Sequence, residues 1–300
     1  MYLLNTSTYK LKAFPDVKKR PSFAILSHTW YPEQEILFKH YKALKGYFKL
    51  MKACEQAKTH NLEYIWVDTC CIDKDSSAEL SEAINSMYPY YRDSTVCYAY
   101  LNDVPSTSEQ DPEAKISAFR NSRWFTRGWT LQELIAPSKV IFFSAKWTPI
   151  GTKTGLRTTI SEVTQIPTAL LRFHYPQAQL SKLSDYSIAQ KMSWAAKRET
   201  TRPEDIAYCL MGVFDINMPL LYGEGEHCAF LRLQEEIIKS STDQSIFAWR
   251  ARENSGARRG LFARAPSEFV ESGNIIGGSI PNFYRVTNYG LELRLPLLKC

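Results

Sequence analysis

Apolar positions in the first half of the chain alternate between two rhythms. Ser22-Phe23-Ala24-Ile25-Leu26-Ser27 is a short apolar run closed by polar residues, which predicts a buried strand. Leu44, Tyr47, Phe48, Met51, Cys54 and Ala57 then recur at three- and four-residue steps, one face of a helix with Lys45, Lys49 and Lys52 turned to water. Glu63-Tyr64-Ile65-Trp66-Val67-Asp68 predicts a second strand, and Leu80, Ile84, Met87, Tyr88 and Tyr91 a second helical stripe. Thr95 to Leu101 is a third strand and Lys139 to Ser144 a fourth. Between them Trp129 to Ala136 makes a short helix stopped by Pro137, after a polar loop over residues 103–118. The order β-α-β-α-β-α-β predicts an α/β fold: a parallel sheet flanked by helices on both faces.

The second half has a different pattern. Ser187 to Lys197 predicts a helix. Thr201-Arg202-Pro203-Glu204 has the form of a capping box opening the next one, with Gly212 placed to end it. A third helix is expected over Glu226 to Lys239, burying Phe230, Leu231, Leu233 and Ile237. After Asp243 the pattern turns β-like at Ser245 to Trp249, Phe283 to Val286 and Leu291 to Leu295, with Asn288-Tyr289-Gly290 as a turn. The expected organisation is a first domain over residues 1–150, core 22–145, and a helical plus β-hairpin extension over 151–300. The extension is expected to pack on the first domain, because its apolar helices have no other visible partner. The end at Leu298-Lys299-Cys300 lacks a helix cap or polar tail, as expected of a piece cut from something longer.

Composition narrows the function classes. The chain of 300 residues is 44% hydrophobic and 23% charged, enough for a real core. Its net charge of +6 is spread out, and the densest cluster, Lys18-Lys19-Arg20, is short. That argues against nucleic acid as a partner. The seven cysteines are odd in number and include no CxxC pair, so no zinc or redox motif is signalled. Several lie in apolar runs as small buried hydrophobes, which fits a reducing, cytoplasmic setting. Met1 to Phe14 is not a signal peptide, and no apolar run is long enough to span a membrane. The five histidines show no metal spacing, and there is no G-x-x-x-x-G-K-[ST] loop. Gly223-x-Gly225 lacks the third glycine of a dinucleotide loop. No cofactor is expected.

In an open parallel sheet, ligands bind beyond the carboxyl ends of the strands. Ser27, His28 and Trp30 end the first predicted strand; Asp68 to Cys71, with Asp73, end the second; Asp103 follows the third; Glu133 lies on the next helix. Each residue has a functional and a structural reading. Glu133 is either a catalytic carboxylate or the solvent face of its helix. His28 is either a proton-transfer group or a core histidine bonded to a carbonyl. Asp68 caps the next element or binds substrate. Glu79 takes backbone N–H bonds at its helix start or pairs within the motif. Trp124 and Trp129 read as core. Cys70 or Cys71 with His28 would make a thiol hydrolase, though nothing visible depresses a thiol pKa.

Three segments carry a resemblance to a known family. They are Ala24-Ile25-Leu26-Ser27-His28-Thr29-Trp30; Tyr64 to Lys74, followed by Glu79 and Met87; and Arg123 to Leu134. In order and spacing they resemble the fungal heterokaryon-incompatibility (HET) domain, and together they cover roughly residues 22–145. Ala189 to Phe214 and Pro219 to Gly225 resemble the region that follows in these proteins. One departure is Tyr31, where many members have glycine. The resemblance implies a trigger of programmed cell death when incompatible fungal cells fuse. It also implies partners: self-association, an incompatible partner protein, or downstream nucleotide-binding and WD-repeat domains.

The element order and Trp129-x-x-x-Glu133-Leu134 are also distantly similar to the TIR domain, some members of which cleave NAD. That likeness implies a TIR-like or flavodoxin-like sheet, NAD as candidate substrate and Glu133 as the catalytic residue, with His28 beside it. Trp30 or Trp129 would stack on a flat base and Arg127 would hold a pyrophosphate oxygen. Ser27 and Asp68 complete the substrate side, while Glu79, Cys71 and Asp73 hold the motif's structure. The rival expectation is a non-catalytic adaptor that self-associates and recruits death effectors.

Overall fold

A computed structural model describes residues 1–30, 47–106, 111–172, 182–251, 259–277, 284–287 and 290–293. The chain divides into two compact units, Met1–Leu180 and Ser181–Cys300.

The first unit is built on a seven-stranded sheet. Its elements in chain order are β1 (Tyr2–Asn5), β2 (Leu11–Ala13), β3 (Phe23–His28), α1 (Tyr47–Thr59), β4 (Tyr64–Trp66), α2 (Asp68–Cys71), α3 (Ser77–Asn85), α4 (Met87–Arg92), β5 (Val96–Tyr100), α5 (Thr130–Ile135), β6 (Val140–Phe143), β7 (Pro149–Thr152) and α6 (Arg157–Thr164). The spatial order is β2-β1-β4-β3-β5-β6-β7. The four strands expected from the sequence, β3, β4, β5 and β6, are parallel and form the centre. Taken alone they stand in the flavodoxin-like order 2-1-3-4, so the topological switch point lies between β3 and β5. All six residues of β3 are buried, because a parallel strand covered on both faces needs apolar or paired side chains throughout.

The sheet corrects the all-parallel expectation at its edges. β1 and β2 form an antiparallel ribbon on β4, and β7 runs antiparallel to β6. These strands are three or four residues long and partly exposed, too short to show a period of two in the sequence. The stripe from Leu80 to Tyr91 is also not one helix. It divides into α3 and α4 around Ser86, because Pro89 has no N–H to return to Asn85 and its ring crowds that carbonyl. The second strand stops at Trp66, and Asp68–Cys71 is a helical turn rather than strand end. Leu44 and Lys45 lie outside the described residues, as does part of the 103–118 loop.

The second unit contains α7 (Ile188–Ala195), α8 (Asp205–Tyr208), α9 (Met211–Phe214), α10 (Gly225–Ser240) and the antiparallel pair β8 (Tyr284–Thr287) and β9 (Gly290–Leu293). A capping box does open a helix, but at Ser187 and Gln190 ahead of α7. The expected box at Thr201-Glu204 does not form. The Glu204 carboxylate instead accepts the backbone N–H of Gly223 at 2.9 Å and of Gly225 at 3.0 Å. Gly212 sits inside α9, which ends at Asp215 in the left-handed region. α10 buries Phe230, Leu233 and Ile237, with Leu231 only half-buried. Ser245 to Trp249 is not a strand, since Asp243 accepts the Ser245 N–H at 2.9 Å and starts a 3-10 turn over Gln244–Phe247. Phe283, Asn288, Tyr289, Arg294 and Leu295 of the expected hairpin lie outside the described residues.

Candidate functional site

Ser27 and His28 are adjacent on an extended strand, so their side chains leave opposite faces of the sheet. The neighbouring strand identifies each face. Cys97, in register with Ile25, shares the face of Ser27, and its thiol lies 4.0 Å from the main-chain oxygen of Glu133 on α5. Tyr98, in register with Leu26, shares the face of His28 and donates to the Gln56 carbonyl of α1 at 3.2 Å.

A buried polar chain occupies the Ser27 face. Trp124 Nε1 donates to Ser27 Oγ at 2.7 Å, and Ser27 Oγ donates to Glu133 Oε2 at 2.5 Å. Glu133 is only 7% exposed, and Ser27 is fully buried. The Tyr91 hydroxyl donates to the Leu26 carbonyl at 3.2 Å. Burial, then the nearby Glu133 charge, pushes its ionisation well above the usual phenol range. The same two causes push the Cys97 thiol up.

Local sequence explains why Glu133 arrives there. Asp103 accepts from Ser122 Oγ at 2.8 Å and from the Arg123 N–H at 2.7 Å. Ser122 Oγ in turn accepts the Trp124 N–H, capping a 3-10 turn over Arg123–Thr126. Thr130 Oγ1 then donates to the Arg127 carbonyl at 2.9 Å at the start of α5. At the other end of α5 the buried Lys153 ammonium donates to the carbonyls of Leu134, at 3.2 Å, and Pro137. Asp103, read from the sequence as a strand-end candidate, is thus a structural cap.

The His28 face carries a second group. Trp30 Nε1 donates to Asp68 Oδ2 at 2.9 Å, and His28 Nε2 stands 3.9 Å from Asp68 Oδ1. Lys74 Nζ lies 3.4 Å over the Trp30 ring, which is 38% exposed. One ring face is therefore taken by a cation. Tyr31 lies outside the described residues.

The other predicted residues separate from these groups. Glu79 accepts the Asp73 N–H at 3.3 Å, and Asp73 accepts the Asp75 N–H at 3.1 Å, so both organise the loop before α3. Cys70 and Cys71 are buried free thiols at the end of α2, hydrogen-bonded to Val67 and in contact with each other. The Cys71 contact, then burial, holds the Cys70 thiol well above its usual range, opposite to what a nucleophile needs. Arg127 and Trp129 are half-buried just before α5, so Trp129 is not the core residue expected of it, whereas Trp124 is. Among the described residues, no three His, Cys, Asp or Glu side chains gather to hold a metal ion.

The Gly223-x-Gly225 motif also has a local explanation. Both glycines adopt positive φ, +104° and +82°, which lets both amides converge on Glu204. Tyr208 and Arg232 hold Glu224 between them, and Tyr222 donates to Asp205 at 3.0 Å. The loop is a folded clasp within the second unit.

Comparison with known proteins bears on the first unit directly. The profile of the heterokaryon incompatibility protein (HET) family matches residues 23–112, from β3 into the loop beyond β5. The vegetative incompatibility protein HET-E-1 of Podospora anserina is 48% identical over 232 residues, which is 74% of this chain. The chain carries a HET domain. It spans about 16% of the length of that relative. Residues 228–259 match a domain of unknown function, DUF8212. No solved structure matches the chain. The matched HET segment contains Ser27, His28, Trp30 and Asp68, while Trp124 and Glu133 follow it. No helix among the described residues is long and apolar enough to cross a membrane.

Trp124 and Tyr91 are the site residues that sequence reasoning missed. Both read as apolar stripe or core positions. Only their polar atoms reach the site, and the register that brings those atoms there is tertiary.

Proposed function

We propose that this chain is the HET effector region of a vegetative incompatibility protein, triggering cell death after incompatible fungal cells fuse, and that it acts by cleaving NAD. The incompatibility reading is supported by the HET match and the likeness to HET-E-1. The enzymatic reading is supported by one observation: Glu133 is held by Ser27 at the carboxyl end of β3, beside the switch point of the sheet.

Nicotinamide leaves NAD as a neutral ring from a cationic pyridinium, so its departure needs no general acid. The N-glycosidic bond breaks with its electron pair going to nicotinamide. The positive charge passes to the ribose as an oxocarbenium ion, and water adds there to give ADP-ribose and a proton. A fixed carboxylate lowers the energy of that cation. Glu133 supplies it, Trp129 or Trp30 stacks on a ring, and Arg127 meets the pyrophosphate. Self-association, and nucleotide-binding and WD-repeat domains further along a longer chain, would bring copies together.

NAD consumption by concentrated protein is the test, wild type against Glu133→Gln, with folding of both checked by circular dichroism. Loss of NAD with wild type alone is expected. No turnover by either, even in clustered protein, overturns the enzymatic reading. The adaptor is then the function that remains, and the low exposure of Glu133 is the observation that favours it.

A further inference from the structure

Cleaving NAD does not by itself call for a tryptophan buried to 1% on a 3-10 turn, yet Trp124 reaches the site with its one polar atom. An indole N–H can donate but never accept. Its bond to Ser27 Oγ therefore uses a lone pair of that hydroxyl and leaves the single Ser27 proton to point elsewhere. The geometry directs that proton to Glu133 Oε2. The chain Trp124 to Ser27 to Glu133 thus has only one polarity, with the carboxylate as its final acceptor.

We propose that Trp124 is a positioning residue that acts through the Ser27 hydroxyl to hold the Glu133 carboxylate in place and in its charged form. The other groups facing this region are Tyr91 from α4, whose hydroxyl also interacts with Glu133, Cys97 from β5 and Asp68 at the start of α2. Lys153 acts on Cys97 from the far end of α5. Burial keeps the phenol and the thiol in their neutral forms, so neither adds a charge. A carboxylate this buried depends on donors to stay ionised. The Trp124 ring also packs edge-on against Phe125 and Phe142, at 5.1 and 5.5 Å between centroids. Burial alone obliges the indole N–H to find an acceptor; what ties this ring to the carboxylate is that its acceptor is the hydroxyl that donates to Glu133.

The effect on turnover rests on the NAD-cleavage reading; the hydrogen-bond chain does not, and the experiment separates them. The carboxyl carbon of Glu133 is followed by carbon-13 NMR across a pH titration of the full chain, with Glu133→Gln to assign it. Trp124→Phe keeps an aromatic ring and removes the donor. Incorporating 3-benzothienylalanine at position 124 exchanges the N–H for sulfur in nearly the same volume, which covers the case in which Trp124→Phe does not fold.

Ser27→Ala is expected to raise the midpoint by about one unit, and either change at 124 to raise it by less. Ser27→Ala combined with the change at 124 is expected to match Ser27→Ala alone, because the tryptophan acts through the serine. A midpoint unchanged by loss of the donor at 124, or shifts that add in the double variant, overturns the proposal. If the wild type consumes NAD, loss of the donor at 124 should lower kcat about tenfold with KM little altered. A wild type without turnover removes the NAD reading and leaves the titration to decide the role of Trp124.

Discussion

Residue by residue, the molecule puts polar groups to uses other than those the sequence suggested. Glu204 is the clearest case. Its position after Pro203 suggested a helix cap, yet its carboxylate draws together two amides that lie nineteen and twenty-one residues ahead. That arrangement demands left-handed backbone at Gly223 and Gly225. A Cβ at either glycine meets nothing within 4 Å, so the cost of a side chain there is conformational and not steric crowding. Gly225→Ala is accordingly expected to destabilise the second unit by about 1–2 kcal/mol, read by urea unfolding. An unchanged midpoint would mean that the clasp tolerates another backbone conformation.

Single side chains also decide what Ser27 and His28 can do. The sequence placed both at one strand end, and so they are. Strand alternation then assigns Ser27 to Glu133 and His28 to Asp68, on different faces. The expectation of Glu133 beside His28 came from the TIR likeness and the shared strand end; neighbours on a strand point in opposite directions, so of the two it is Ser27 that reaches Glu133.

At the level of elements, α5 is only six residues long and has little stability of its own. It is fixed at both ends: its first residue, Thr130, bonds back to the Arg127 carbonyl, and Lys153 bonds to the Leu134 carbonyl. Burial lowers the Lys153 pKa from 10.5 to about 8. Between those two values the unfolded chain carries the proton and the folded chain does not. The contribution of this lysine to stability therefore rises with pH across that window, and is lost as pH falls through about 8. Buried thiols such as Cys54, pushed up to about 12, act in the opposite sense at high pH, so the lysine must be read by difference. The stability of wild type minus that of Lys153→Met, from urea unfolding at several pH values, should grow from about pH 8 to about pH 10. A flat difference would mean that the folded amine keeps its proton.

The elements also show where periodicity misleads. The stripe through Leu80 and Tyr91 is real, and both helices that carry it pack in the first unit, but Pro89 interrupts the hydrogen-bond ladder beneath it. The short outer strands β1, β2 and β7 left no pattern, because three or four residues cannot establish an alternation.

At the scale of the whole molecule, the chain is two compact units within a length that is a small part of its relative. If death signalling works by bringing HET domains together, NAD consumption should depend on local concentration. Fusing the chain to an obligate oligomer is expected to raise the rate per chain several-fold at equal total protein. Equal rates for clustered and free protein would remove self-association from the mechanism.

The sequence by itself determined the class of fold, the four central strands, the HET motifs and the placing of Ser27, His28 and Glu133 at the carboxyl end of the central strands. It could do so because long apolar runs and helical stripes are local and are dictated by burial. Only the tertiary structure decided which of those residues meet. It separated His28 from Ser27, made Asp103 a cap, bound Glu79 to the Asp73 amide in the loop before α3, and set the Trp124 indole on the Ser27 hydroxyl. The physical reason is that a hydrogen bond between residues about one hundred positions apart depends on register and strand direction, which no local pattern records.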